Sequence, residues 1–316
     1  MGIQAGDAAI APGMQSWKYW QPHPLTAGSR SRVLLDGDRV VAHGAMWPIR
    51  LRGSFGERSA FHLIDWAAAR EAGGAGMEVM RLCGQGAAAI FSIGGSAMTR
   101  KIVPIFGFRP QNRIAFLSRP LHPFLPAWPD SPRDWKMPAR LLRNLVRYLA
   151  PAPGVPRGWR VEPASPDNIP ESLFYAPSDG EAASARNAAL LDHVMSCPAI
   201  ERWRAYLLHG ASGPEAYFVL CQVGREVRVA DFGPPGLDEA AGFALAAAAL
   251  GAARNEFPGA VSILAATTEP AVEAGFLRAG LRICRTEMIK VLKLDPALQP
   301  FSRYRLTLLD WDAICR

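Results

Sequence analysis

The chain has few cysteines, and none of them forms a recognisable motif. Its 316 residues contain five, all isolated and without a C-x-x-C pair: Cys83, Cys197, Cys221, Cys284 and Cys315. An odd number of isolated cysteines argues against a structural zinc site and against a framework of disulfides. We therefore expect no metal in the protein.

The sequence also lacks an apolar segment that is long enough to cross a bilayer. Its longest apolar run, residues 240–253, is rich in alanine, whereas a transmembrane helix needs about 20 apolar residues. The N-terminus has no basic segment followed by an apolar core, as a secretion signal has. These absences predict a cytoplasmic protein without a membrane span.

Runs of like charge are missing as well. The net charge is +7, and the 35 basic residues, mostly arginine, are spread along the chain. A basic protein attracts polyanions, which include the phosphates of coenzymes, but no nucleic-acid-binding module is present. We do not expect nucleic acid as a partner. The abundance of arginine, alanine, glycine and proline is typical of a GC-rich bacterial gene.

The most informative segment that is present is residues 62–77, with the sequence HLIDWAAAREAGGAGM. An apolar stretch runs into a glycine-rich turn that opens a helix, which leaves several backbone N–H groups to hold an anion. The following sequence predicts a helix at 77–82, a strand at 88–93 and a helix at 96–105 that ends at Phe106-Gly107-Phe108. Upstream, residues 32–47 predict two strands joined by an Asp36-Gly37 hairpin.

These features together resemble the Gcn5-related N-acetyltransferases, although a glycine-rich loop also arises by composition alone in such a chain. The spacing of Arg70, Gly73 and Ala75 matches the R-x-x-G-x-G/A loop with which that family binds the pyrophosphate of acetyl-CoA. The resemblance implies an acyl-CoA co-substrate. Its expected binding residues are Trp66, Ala67, Arg70, Gly73, Gly74, Ala75, Gly76 and Met77.

The C-terminal half repeats this order of elements. It predicts strands at 217–223, 226–232 and 261–266, helices at 237–255 and 271–279, and a closing strand at 283–294. The resemblance implies an α/β fold (α+β, mixed sheet) of two tandem acetyltransferase-like domains that form a pseudo-dimer. The domains are expected at 1–125 and 171–316, joined by a proline-rich connection at 126–170.

The proline-rich connection contains a pattern for an amphipathic helix at residues 139–149. We expect this helix to dock on a domain, with binding to a membrane surface as the alternative.

The two copies differ at the loop that follows the second strand. In the second copy this segment is Asp231-Phe-Gly-Pro-Pro-Gly-Leu, and its two prolines remove two N–H donors that a pyrophosphate would need. We therefore expect the first copy to bind CoA and the second to be mainly structural.

The family usually has a tyrosine in the last helix that protonates the leaving thiolate. At that position this chain has Val103 in the first copy and Phe276 in the second, which puts a tyrosine acid in doubt. Asp65 is the best candidate for the general base, followed by His62 and His43. Strand alternation puts His62 and Asp65 on opposite faces unless a bulge intervenes.

Each of these candidates has a structural alternative. Asp65 also fits a carboxylate that caps the turn or pairs with an arginine, and the histidines fit core positions. Four tryptophans near the loop either line an acceptor pocket or belong to the core: Trp17, Trp20, Trp47 and Trp66. The tail at 304–314 predicts a strand whose Asp310 and Asp312 face the acceptor or the solvent.

The sequence favours an acyl-CoA-dependent N-acyltransferase in which an amine attacks the thioester directly. The resemblance implies an acetyl donor and a small-molecule amine or amino sugar as acceptor. Two alternatives are a non-catalytic binding or scaffold protein of the same fold, and a transferase whose acyl donor is bound to a carrier protein or tRNA. A monomer with pseudo-dimeric domains and a homodimer both fit the pattern.

Overall fold

The computed structural model describes residues 12–122, 137–174, 180–298, 301 and 303–315. The strands in this part are β1 (Ser31–Asp36), β2 (Arg39–Gly53), β3 (Gly56–Ala68), β4 (Ala89–Ile93), β5 (Arg109–Pro120), β6 (Arg160–Ala164), β7 (Glu181–Ser184), β8 (Arg202–Gly210), β9 (Gly213–Val223), β10 (Glu226–Gly233), β11 (Ser262–Thr267), β12 (Arg282–Lys293) and β13 (Arg303–Arg305). The α-helices are α1 (Pro12–Gln15), α2 (Ala75–Gly84), α3 (Ala97–Ile102), α4 (Met137–Leu149), α5 (Glu171–Phe174), α6 (Ala188–Met195), α7 (Glu239–Glu256) and α8 (Pro270–Arg278). Other helical turns cover Ser16–Trp20, Val103–Phe106, Pro166–Asn168, Pro296–Leu298, Leu308–Asp310 and Asp312–Cys315.

The predicted hairpin and the predicted strand, turn and helix are all present. β1 and β2 pair antiparallel with Asp36 opposite Arg39, so Gly37 and Asp38 form the two-residue turn. Gly37 has a φ of 58°, in the left-handed region that glycine adopts without strain. β3 then leads through residues 69–74 into α2. The predictions from residues 32–47 and 62–77 are confirmed for these elements.

The chain forms two compact units, and each is assembled from separate segments. The first contains residues 1–113, 177–199 and 287–316, and the second contains 114–176 and 200–286. The units therefore divide the chain differently from the predicted domains at 1–125 and 171–316. In particular, part of the proline-rich connection belongs to the second unit, where β6 pairs with β8.

The first unit has a mixed sheet in the order β13, β7, β2, β3, β4, β12, with β1 also paired to β2. β2 and β3 are antiparallel, and β3 is parallel to β4. The connection between two parallel strands needs a crossover, and here the glycine-rich turn and α2 form it. The parallel pairing ends at His62 and Phe91, whereas β3 continues to Ala68.

The second unit repeats this plan with a sheet in the order β5, β11, β10, β9, β8, β6. β9 and β10 are antiparallel, and α7 connects β10 to the parallel strand β11. The last strand of each sequence repeat pairs in the other unit: β5 ends the first repeat but pairs with β11, and β12 ends the second repeat but pairs with β4. Phe116 of β5 pairs with Ala266 in the second unit, whereas Val291 of β12 pairs with Phe91 in the first.

Each unit has an apolar core of its own. In the first unit α2 packs on the sheet through Met80 and Cys83, together with Phe61 and Ile90. In the second unit the alanine-rich α7 is buried along most of its length. Small side chains on this helix allow it to lie close to its neighbours. At Gly242, an added Cβ would be 3.0 Å from the Cα of Val272 on α8.

The C-terminal tail differs from its prediction. Only Arg303–Arg305 is a strand, and residues 308–315 form short helical turns. The backbone turns here because Thr307 and Asp310 form a capping box. Asp310 and Asp312 are both buried, so the prediction of a solvated strand end was wrong.

Two further features of the described residues concern the requirements of a membrane-spanning helix and of a metal site. Among the described residues, no helix is long and apolar enough to cross a membrane. Within the same part of the chain, no group of three or more His, Cys, Asp or Glu side chains is placed to hold a metal ion.

Candidate functional site

The glycine-rich turn lies at the exposed start of α2. Arg70, Gly73 and Gly74 are exposed, and Gly74 is the N-terminal cap of the helix with a φ of 82°. An added Cβ at Gly73 or Gly74 would meet no atom within 4 Å. The turn therefore leaves open space next to its backbone, as close approach of a ligand to the amides requires.

Several amides of this turn are unpaired. The turn is closed by hydrogen bonds from the Ala75 N–H to the Ala72 oxygen at 3.2 Å and from the Met77 N–H to the Gly74 oxygen at 2.9 Å. By contrast, the N–H groups of Gly73, Gly74 and Gly76 have no hydrogen-bond acceptor among the described residues. Unpaired amides at the start of a helix attract anions because the helix dipole adds to their partial charge.

Trp66 holds this helix start against the sheet. Its indole Nε1–H donates to the Gly76 oxygen at 3.0 Å, and its ring packs edge-on against Phe106 at 5.7 Å between centroids. Among the other predicted binding residues, Ala67 pairs with His43 across β2 and β3, while Met77 is 57% exposed. Trp66 thus positions the amides of the turn.

Asp65 lies in a bulge near the end of β3, which leads into the turn. On β2 and β3, His43 is opposite Ala67 and Ala45 is opposite Ile64, so Asp65 and Trp66 together face one residue. Asp65 has a φ of 41°, which is uncommon for a residue with a side chain. The sequence did not decide whether a bulge interrupts the alternation between His62 and Asp65, and the structure shows that one does. Backbone strain of this kind is frequent at functional sites.

The bulge brings Asp65 into a charged cluster with the N-terminal segment and the C-terminal tail. The Tyr19 hydroxyl donates to Asp65 Oδ2 at 2.8 Å, and Lys18 forms an ion pair with the same carboxylate. The Lys18 ammonium also donates to Asp312 Oδ2 at 2.7 Å. Asp65 is therefore paired with a lysine and a tyrosine. Its side chain is 26% exposed and so remains accessible from solvent.

Neither Lys18 nor Tyr19 has a sequence pattern that predicts a site residue. Both lie in the helical turn Ser16–Trp20, and Tyr19 also packs edge-on against His43 at 5.5 Å. The aromatic-rich sequence Trp-Lys-Tyr-Trp was visible, but no local pattern relates it to Asp65. Of the four tryptophans, Trp17 and Trp47 belong to the core, whereas Trp20 is exposed.

His62 lies in a buried aromatic cluster. Its ring contacts Phe91, Tyr304 and Trp311, and its Nε2 is 3.4 Å from the Tyr304 hydroxyl. Burial lowers the pKa of His62 to about 4, although the charge of Asp310 opposes this shift. His62 is therefore neutral at pH 7 and enclosed, which makes it a weaker candidate for a general base than Asp65.

The buried histidines predict that acid destabilises the protein. Burial also lowers the pKa of His23 to about 3 and that of His193 to about 4. Unfolded histidine ionises near pH 6.5, so between about pH 6.5 and 4 the unfolded chain binds more protons. Stability is then present above this window and falls as the pH falls through it, by roughly 3 kcal/mol for His62 alone.

This expectation is tested by urea unfolding at several pH values between 7 and 4. His62→Phe should flatten the dependence of the unfolding free energy on pH, because phenylalanine binds no proton in either state. An identical slope in His62→Phe and the unmodified protein would contradict the assignment.

The fold of the chain is similar to that of solved acetyltransferases. No family model and no curated protein matches the sequence. Among solved structures, a GCN5-related N-acetyltransferase from Anabaena variabilis aligns with 92% of this chain at 12% identity and a TM-score of 0.55. One from Kribbella flavida aligns with 85% of it at 14% identity and a TM-score of 0.52.

The chain has a tandem GCN5-related acetyltransferase fold. It spans less than two thirds of the first two proteins' own length, 66% of the Anabaena and 62% of the Kribbella protein. An N-myristoyltransferase from Saccharomyces cerevisiae, solved with bound myristoyl-CoA, aligns with 92% of this chain and 75% of its own length, at 9% identity and a TM-score of 0.53. At these identities the likeness concerns the fold.

In this tandem acetyltransferase fold, neither equivalent of the usual tyrosine lies at a site. Val103 is buried in the core of the first unit beside Phe108, and Phe276 is fully buried in the second. Both side chains help to fill apolar cores. No proton donor is therefore available at either of these two positions.

The second acetyltransferase-like unit already has an anion at its corresponding helix start. Glu269 Oε1 accepts from the Gly236 N–H at 2.7 Å, and the Asp238 side chain caps α7 by accepting from the Ala241 N–H. Two carboxylates thus occupy the region where a pyrophosphate would bind, and they would repel it. At α2, by contrast, Gly74 provides no side-chain cap.

Proposed function

We propose that the protein is an acyl-CoA-dependent N-acyltransferase whose first unit binds CoA. The observation that carries this proposal is the set of unpaired amides of Gly73, Gly74 and Gly76 at the open start of α2. Arg70 is exposed beside them and supplies positive charge for a pyrophosphate. The fold is one in which a structural neighbour binds myristoyl-CoA.

In the proposed reaction, the nitrogen of a neutral amine attacks the thioester carbonyl of the acyl-CoA. The C–N bond forms, the C–S bond breaks, and CoA leaves as a thiolate. Asp65 takes the proton of the attacking nitrogen. Backbone N–H groups near the point where β3 and β4 separate, beyond His62 and Phe91, stabilise the developing oxyanion.

Tyr19 is the proposed substitute for the missing tyrosine. Its hydroxyl is hydrogen-bonded to Asp65 at 2.8 Å, so it lies next to the proposed base. Tyr19 would protonate the thiolate, and the proton that Asp65 took from the nitrogen would pass across their hydrogen bond to the Tyr19 oxygen, which restores both groups. Free thiols ionise near pH 8.5, so water also serves as a proton source at neutral pH.

The acceptor that fits this site is a small amine, for which an amino sugar is one candidate. The carboxylates of Asp65 and Asp312 lie within reach of one ammonium, that of Lys18, and an amine that enters as a cation would be attracted to the same oxygens. We propose acetyl as the acyl group and the cytoplasm as the location. No metal has a role in the proposed reaction.

A second candidate function is a CoA-binding scaffold that has lost catalysis. The burial of Val103 and Phe276 at the positions of the usual acid favours it. A third candidate is a transferase whose acyl donor is attached to a carrier protein or tRNA. Such a donor would use the same loop but would need fewer contacts where the adenosine of CoA binds.

Thermal unfolding with and without acetyl-CoA tests the binding step. A ligand at about 100 times its dissociation constant should add about 2.7 kcal/mol to the stability, and the melting temperature should rise accordingly. Desulfo-CoA, which carries the same pyrophosphate, should also raise it. No shift with acetyl-CoA or with longer acyl-CoA thioesters would refute the proposal.

Turnover distinguishes the enzyme from the scaffold. A panel of small amines and amino sugars, with detection of the released thiol, should give at least one substrate of this protein. Binding of acyl-CoA without release of thiol for any amine would favour the scaffold, and acylation from a carrier protein alone would favour the third candidate.

A further inference from the structure

Helix α4 presents an apolar stripe to the solvent. Leu142, Val146 and Leu149 are 63%, 61% and 67% exposed, and their spacing of four and three residues puts them on one face. Asn144, on the opposite side of the helix, is only 6% exposed. Leu141 and Leu145, on the same side as Asn144, are half-buried, so this side of α4 packs on the second unit, as the docking prediction requires, and the rest of its apolar surface faces outward.

The anchoring of α4 explains this orientation. The guanidinium of Arg119 is buried and donates to the Ala150 oxygen at 2.6 Å, just beyond the last turn of α4, and to the Ala279 oxygen at 3.0 Å beyond α8. A cation at helix C-termini satisfies carbonyl groups that have no partner within the helix. The helix is therefore attached through its backbone as well as through its inward side, and Leu142 and Leu149 remain exposed.

The surroundings of the stripe are basic. The α4 sequence has arginines but no acidic residue. Partial burial, together with repulsion from Arg143 and Arg282, lowers the pKa of Arg147. Arg143, Arg147, Arg254 and Arg282 have no ion pair with a carboxylate in the part of the chain that the structure describes. Several glutamates of this unit pair with other arginines, as Glu239 does with Arg278 and Glu226 with Arg228.

We propose that α4 is an interfacial helix that binds a membrane surface containing anionic lipids. Aliphatic side chains on the outward face would enter the boundary between headgroups and acyl chains. The arginines beside them would contact phosphate groups. Because the stripe is apolar and its margin is cationic, an anionic lipid surface complements both properties, whereas an acidic soluble partner would complement only the second.

The helix and the neighbouring groove are suited to this partner. Thirteen residues give a helix of about 20 Å, which is enough for three to four turns lying in the interface. Tyr148 and Leu149 also line a groove of about 530 Å³ together with Phe257 and Arg254. The groove lies at the C-terminal end of the stripe, where Arg254 adds a further positive charge.

Vesicle flotation with the full-length chain tests the proposal. The protein should float with vesicles of phosphatidylcholine and phosphatidylglycerol in equal amounts, and about tenfold less with phosphatidylcholine alone. Added salt should weaken the binding because it screens the arginines. The double variant L142D/V146D should reduce flotation to the level of neutral vesicles, and R143E should reduce it to a smaller extent.

The variant I105D is the matched control, since Ile105 is an aliphatic residue of the first unit that is 80% exposed. It should float like the unmodified protein. Circular dichroism and thermal unfolding of L142D/V146D should match the unmodified protein, because the altered side chains are exposed. Equal flotation with both lipid mixtures, or normal flotation of L142D/V146D, would overturn the proposal. Self-association that L142D/V146D abolishes, without any flotation, would also overturn it and would indicate a second copy as the partner.

Discussion

Replacing Gly74 by valine is expected to abolish the rise in melting temperature that acetyl-CoA produces. The φ of Gly74 is 82°, and a β-branched residue in the left-handed region is strained by about 1–2 kcal/mol. More importantly, the new side chain would stand beside the unpaired amides of Gly73 and Gly76. Loss of the ligand would remove about 2.7 kcal/mol of stabilisation at a hundredfold excess. Melting curves with and without acetyl-CoA provide the measurement.

The matched control is Gly236→Val in the second unit. Gly236 has a φ of 78°, and an added Cβ there also meets no atom within 4 Å, so the two variants carry the same backbone strain. Both should melt at a lower temperature, but Gly236→Val should keep the full shift with acetyl-CoA. Equal losses of the shift in both variants would contradict a single CoA site in the first unit.

Asp65→Asn is expected to lower kcat by about 10²–10⁴ while acyl-CoA binding is retained. The amide is nearly the same size as the carboxylate but cannot accept a proton from the attacking amine, and general base catalysis contributes this range. Asp65 lies in β3 and not in the turn whose amides are proposed to bind CoA, so the melting shift with acetyl-CoA should persist. Steady-state thiol release and the melting shift, measured on the same preparation, give the two quantities.

Asp312→Asn is the control for the charge cluster. Asp65 and Asp312 both pair with Lys18, so either substitution removes one negative charge from the same ammonium. If Asp65 acts as the base, Asp312→Asn should change kcat far less than Asp65→Asn. Similar losses in both variants would show that the cluster acts through its charge or its structure and that Asp65 is not the base.

Local elements were predictable from the sequence because neighbouring residues determine them. The turn between β1 and β2 needs a residue that tolerates positive φ, and Gly37 is that residue. The stop of the helix before β5 was predictable for the same reason, since Gly107 has a φ of 88°. The prediction for the tail was wrong because its alternation of apolar and polar residues resembles a strand. In the structure the Asp310 carboxylate accepts a hydrogen bond from the Thr307 N–H, and the backbone turns there.

The candidate site was predictable only in part. The sequence pattern locates the turn within residues 62–77, since glycine spacing and the following helix are local features. The surroundings of Asp65 were not predictable. Its partner Tyr19 is 46 positions away, and Lys18 and Asp312 are separated by 294. No periodicity or turn preference extends over such distances.

By itself, the sequence determined the order of strands and helices, the repeat of that order and the place of one glycine-rich turn before a helix. The tertiary structure decided which strands close each unit, because β5 and β12 find their pairing partners only when distant segments meet. It also decided that Asp65 meets a lysine and a tyrosine, and that Glu269 fills the second helix start. Backbone preferences act between neighbours, whereas pairing of strands and charges depends on which surfaces the folded chain brings together.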